Sequence, residues 1–174
     1  RWLDAHLPGV ALPKRADLRP DAALPRARPG RRSLRIYLVK PSQYDADGLV
    51  LRFRWGVIPN NTLTVLAGLT QAYAAARPAL EVQTILWEEL VDGVIAEDTL
   101  DSIRARADAD GVEILIGLAG VQTGQYARAR DLALQCLQRG MPVVIGGFHV
   151  SGDAPSRDFL VAQGVTVVVG EAET

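Results

Sequence analysis

The sequence predicts a doubly wound α/β domain: five parallel strands in the order 2-1-3-4-5, with helices between them. Three observations predict it. Short runs of β-branched and aliphatic residues alternate with segments of helical periodicity from residue 34 onward. Each connection between runs is far longer than a hairpin turn, which makes successive strands parallel neighbours joined by crossover helices. The third run, VEILIGLAG (112–120), is almost wholly apolar, as a central strand covered on both faces must be.

The elements follow in order. LRIYLV (34–39) is the first strand, and the connection KPSQYDADGLVLRFRWGVIP is long for a strand-to-helix loop. Loops of such length at this end of a parallel sheet often carry function. Asn60 or Asn61 caps a helix in which Leu63, Leu66, Ala67, Thr70 and Tyr73 recur at helical spacing, ending near Pro78. VQTILW (82–87) is the second strand, and Asp98 caps a short helix containing Leu100, Ile103 and Ala107. After the third strand, Ala129, Leu132, Ala133, Cys136 and Leu137 mark the buried face of a helix that Gly140 terminates. PVVIGG is the fourth strand, a helix starts near Pro155, and VTVVVG is the fifth strand. This is the flavodoxin-like, or broadly Rossmann-like, arrangement.

Residues 1–33 are different in kind. They hold five of the ten prolines, with Lys14, Arg15, Arg19, Arg26, Arg28, Arg31 and Arg32 scattered among them. Repeated prolines remove amide donors and disfavour helix, so this stretch reads as an N-terminal arm or linker ahead of a domain spanning 34–174. Its charge suits either an acidic partner or solvent, and the scatter favours solvent.

Bulk properties exclude several classes. With 19 basic and 20 acidic residues the formal charge is −1, which gives no argument for nucleic acid or an anionic membrane as a partner. No apolar run has the roughly 18 to 20 residues of a membrane span, and no leader pattern opens the chain, so a cytoplasmic protein is expected. The single cysteine, Cys136, reads as core, so no internal disulfide or thiolate cluster is expected. His6 and His149 are the only histidines.

Ligands of such sheets bind outside the carboxyl ends of the strands, and four loops emerge there. They carry Pro41, Ser42 and Gln43 after the first strand, then Gly120, Val121, Gln122 and Thr123 after the third. Gly146, Gly147, His149 and Ser151 follow the fourth, and Gly170 and Glu171 the fifth. Their polar groups are mostly neutral, which suits a large amide-rich ligand better than a polyphosphate. The first loop lacks GxGxxG, no GxxxxGK[ST] occurs, and the third strand ends in Leu118-Ala119-Gly120 where a phosphoacceptor domain needs Asp. An FMN or nucleotide site rests on topology alone.

The segment IGLAGVQTGQYARARDLALQCLQRGMPVVIGGFHVSG, with VTVVVGEAE after it, resembles the cobalamin-binding domain at the N-terminus of cobalamin-dependent radical S-adenosylmethionine enzymes. The likeness covers roughly residues 34–174 and is strongest at GGFHVS and VVVGEAE. It implies cobalamin bound with its nucleotide tail pushed between sheet and helices, passing Gly146 and Gly147, with Thr123 near the tail and Gly170 letting the fifth loop wrap it. His149 falls in the tail-side turn, in a hydrogen-bonding role and not on cobalt. Glu171 and Glu173 face the ligand, an adjacent domain or solvent.

The resemblance has two departures. The DxHxxG loop that supplies a cobalt-ligating His in the wider family is here PSQYDADGLVLRFRWG, without His, and Ser-x-Leu is replaced by Ala119-Gly120-Val121. This implies base-off cobalamin with no protein imidazole below cobalt, which is then five-coordinate, water-ligated, or covered on that face by a bulky residue such as Tyr44 or Trp55. The S-adenosylmethionine and the four-iron four-sulfur cluster would belong to a C-terminal radical SAM domain, making this chain a non-catalytic fragment of a longer enzyme, a methyltransferase. The alternative is a flavodoxin-like interaction or substrate-recognition module of such a protein that has lost cobalamin.

Overall fold

A computed structural model describes residue 19 and residues 24–52 and 61–170. Its strands are β1 (Arg32–Lys40), β2 (Leu80–Glu88), β3 (Glu113–Leu118), β4 (Val143–Gly146) and β5 (Thr166–Val168). They form one sheet in the order β2-β1-β3-β4-β5, every neighbouring pair parallel. The expected topology is therefore present. The helices are α1 (Asn61–Ala75), α2 (Glu89–Asp92), α3 (Glu97–Asp110), α4 (Tyr126–Gln138), α5 (Phe148–Gly152) and α6 (Ala154–Ala162).

The two faces of the sheet are covered unequally. On one, Tyr37, Val39, Ile116, Leu118, Val143 and Ile145 pack under α3, α4, α5 and α6, which contribute Leu100, Ile103, Leu132, Cys136, Val150 and Leu160. Removing each such side chain from water stabilises the fold by about 1.5 to 3 kcal/mol. On the other, Ile36, Leu38 and Leu86 meet Leu63 and Ala67 of α1. That helix lies against β1 and β2, at one end of the sheet. Along β3, β4 and β5 on α1's side, Leu115, Gly117, Val144, Gly146 and Val168 are only half-buried and Thr166 is exposed.

Several local expectations shift. Asp98 lies within the first turn of α3 and the N-cap is Ala96, the Asp98 carboxylate accepting from Thr99 N at 2.7 Å instead. Tyr73 is 55% exposed, and its ring carries the Arg77 guanidinium at 3.5 Å, so it is a surface residue of α1 rather than part of its packed stripe. Asn60 lies outside the described residues. Cys136 is core as expected, and burial pushes its thiol up to about 12. Gly140, at φ +65°, follows α4 in the left-handed conformation expected of a terminator. Gly147, His149 and Ser151, expected in a turn, instead lead into and occupy the short helix α5 before α6.

Part of the proline-rich arm belongs to the folded unit. Leu24 and Ala27 pack against the larger core, and Ala27 N donates to Asp110 O at 3.0 Å. Pro25 O accepts from Arg35 Nη2 at 3.2 Å and from Gln83 Nε2 at 2.8 Å. Three arginines of residues 1–33 also find carboxylates within the domain itself: Arg26 pairs with Asp110, Arg28 with Glu81 and Arg32 with Glu113.

Candidate functional site

Backbone and side-chain hydrogen bonds stitch the four loops into one rim at the carboxyl edge. Pro41 O accepts from Gln125 Nε2 at 2.9 Å, tying the first loop to the third. Val121 N donates to Gly146 O at 3.1 Å, and His149 N donates to Val121 O at 3.0 Å, closing the seam between third and fourth. Gly170 N donates to Ser151 Oγ at 3.2 Å, joining the fifth. The twelve described candidate residues thus share one edge of the sheet. Glu171, Glu173 and Trp55 lie outside the described residues, as does His6.

What each residue does there differs from what its type suggests. Ser42 is buried, its Oγ donating to Leu51 O at 2.7 Å and its N to Glu89 Oε2 at 3.0 Å. Gly147, at φ +139°, leaves no space for a side chain, since a Cβ would meet Val121 N at 2.2 Å. Its missing side chain therefore serves the seam between loops. Gly146 is unlike it: a Cβ there would make ordinary contact with Val168 Cβ at 3.5 Å, facing α1's side of the sheet. Gly120, at φ +65°, lies beside Thr62 at the start of α1. Gln43, Gln122 and Thr123 are exposed on the rim.

His149 is held by its neighbours. Its ring lies 4.3 Å from that of Tyr126, and its Nε2 is 3.1 Å from Ser156 Oγ. Asp153 completes the trio of types found in hydrolases, but its carboxylate approaches the same Nε2, at 3.9 Å, and accepts from Ser156 N as the cap of α6. A working triad needs the acid on the opposite ring nitrogen. The cluster is a brace between α5 and α6.

A buried ion pair beneath the first loop had no sequence signal. Glu89, fully buried, accepts from Ser42 N, from Ile95 N at 2.9 Å, and from Arg128 Nε and Nη2 at 3.1 and 2.6 Å. Burial opposes the charge on Arg128, but the hydrogen bonds to Glu89 outweigh it and raise the guanidinium's pKa. The pair fixes three separate segments, and its partners are 39 residues apart in sequence. Above it, residues 43–51 form a tight turn: Tyr44 bridges Val50, Leu51 N donates to Gln43 O, and Asp45 Oδ1 accepts from Asp47 N and Leu49 N. Tyr44 leans toward α4, where its hydroxyl donates to Asp131 Oδ2 at 2.9 Å; burial first, then this acceptor, push the phenol's pKa up.

None of the twelve described candidate residues is Asp, Glu, Lys or Arg, although Asp45 and Asp47 lie in the first loop. Among the described residues no group of three or more His, Cys, Asp or Glu side chains is placed to hold a metal ion. No helix among them is long and apolar enough to cross a membrane. No family model, curated protein or solved structure shows a significant match to this chain.

Proposed function

We propose that this chain is a cobalamin-binding domain serving a radical S-adenosylmethionine methyltransferase, cytoplasmic, with its catalytic partner a C-terminal domain of the same polypeptide. The observation that carries the reading is the half-covered face of β3, β4 and β5. It runs up to the stitched rim and includes two positions without side chains, Gly117 and Gly146. Leu38 Cδ2 closes over Gly117, at 3.0 Å from where a Cβ would lie, which leaves Gly146 as the open one. A long, amide-rich ligand tail needs a floor of this kind, while on the opposite face of β3 and β4 Ile114, Ile116, Leu118, Val143 and Ile145 are buried in the larger core.

The residues on this face fit the cofactor in part. Gly146, Val144 and Val168 would line the tail, and Thr123, Gln122 and Gln43 would offer donors and acceptors at the rim. Gly147, Ser42 and His149 would act indirectly, by holding the loops in place. The first loop has no histidine, so this chain's first loop would offer cobalt no imidazole. Bound there, cobalamin would supply a cobalt centre able to carry a methyl group.

Titration of the purified chain with hydroxocobalamin, followed by its visible spectrum and by gel filtration, tests the reading. Corrinoid should co-elute with protein at about tens of micromolar, a modest-affinity threshold. Gly146→Leu should abolish retention while the far-ultraviolet circular dichroism is unchanged. A folded protein that retains no corrinoid ends the proposal. It would favour a second reading, an interaction module, for which Phe148 and Val169 speak: they are 72% and 57% exposed at the same edge.

A further inference from the structure

Arg35 is an unusual residue for the middle of a parallel strand. It lies on the heavily packed face of the sheet, its side chain wholly buried, where a charge is costly unless it is paired, and its Nη1 has no hydrogen-bond partner. Its Nε donates to Gln83 Oε1 at 2.9 Å, and its Nη2 to Asp110 Oδ2 at 2.9 Å and to Pro25 O. The last acceptor is not part of the sheet or its helices. It comes from the arm, which also supplies Leu24 and Ala27 as the apolar cover.

Among the described residues, the other ties of residues 24–28 to the rest of the domain are few: Ala27 N donates to Asp110 O, and no ladder pairing reaches them, since β1 begins at Arg32. The pairs Arg26–Asp110 and Arg28–Glu81 are 3.6 and 3.7 Å long, with the arginines 82% and 67% exposed, so they are weak and screened. We propose that residues 24–28 are a strap latched by the Pro25 carbonyl, which opens as a unit without unfolding the sheet and uncovers the Arg35 and Gln83 donors at the amino edge. Segments with few buried contacts and partly exposed hydrogen bonds open at the low end of a protein's stability range.

Residue-resolved hydrogen exchange by NMR on the full chain tests the strap. The Ala27 amide should exchange at least about 100-fold faster than that of Tyr37, as expected for sub-global opening. Leu24→Ala should speed Ala27 exchange by a further factor of about ten, leave Tyr37 unchanged, and speed labelling of Arg35 by phenylglyoxal in the same proportion. Ala27 and Tyr37 exchanging within about threefold of each other in both proteins would show the arm to be inseparable from the sheet and overturn the proposal.

Discussion

Gly146 and Gly147 are adjacent in sequence and opposite in what they demand. At Gly147 a Cβ would press into the backbone of Val121, and φ of +139° is strained for any L side chain. Gly147→Ala should therefore destabilise the fold by roughly 3 kcal/mol or more, from strain and overpacking together. Gly146 has neither constraint, and Gly146→Ala should change stability by no more than about 1 kcal/mol. Paired urea titrations decide between them. A single-sequence reading marks both as glycines and cannot separate them, because the distinction depends on which backbone passes opposite. Asp153 supplies a pH-dependent term at the same scale: hydrogen bonds from the Ser156 side chain and backbone hold its carboxyl below the ordinary value. The cap's stabilisation is present above the unfolded carboxyl value of about 4 and is lost as pH falls through the lower folded value. Thermal midpoints of the parent and Asp153→Asn should thus differ at neutral pH and converge in acid.

At the scale of elements, the junction of β2, the first loop and α4 depends on the Glu89–Arg128 pair. Arg128→Met strands a buried carboxylate and should cost about 3 to 5 kcal/mol in denaturant unfolding. Replacing both partners, Glu89→Leu with Arg128→Met, should recover only part of this, because Ser42 N and Ile95 N would lose their acceptor. A double-mutant cycle measures the difference. The helices and strands themselves were legible, since periodicity records which side of an element faces apolar surroundings. Arg128 shows where that record fails. It sits one residue before the apolar stripe that begins at Ala129, and in sequence it looks like any solvated arginine. Only the arrival of Glu89 from another connection makes it a buried residue.

For the whole molecule, the uneven cover of the sheet is the property with most consequence. Val144 and Ile145 are consecutive but lie on opposite faces, the first half-buried on α1's side of the sheet, the other fully buried in the larger core. Ile145→Ala should cost about 3 to 4 kcal/mol, whereas Val144→Ala should cost about 1 kcal/mol, measured by chemical denaturation. The sequence by itself determined the parallel α/β class, the strand order and the edge at which the candidate residues collect. It could do so because β-branched runs, helical spacing and right-handed crossovers are local or topological rules. The tertiary structure alone decided which candidates face outward and which are consumed in joining loops. It also decided that part of the proline-rich arm completes the core beside Arg35, and that the face of β3 to β5 beside α1 stays partly open. Those outcomes depend on distances between segments far apart in the chain, and no local pattern of side chains encodes such distances.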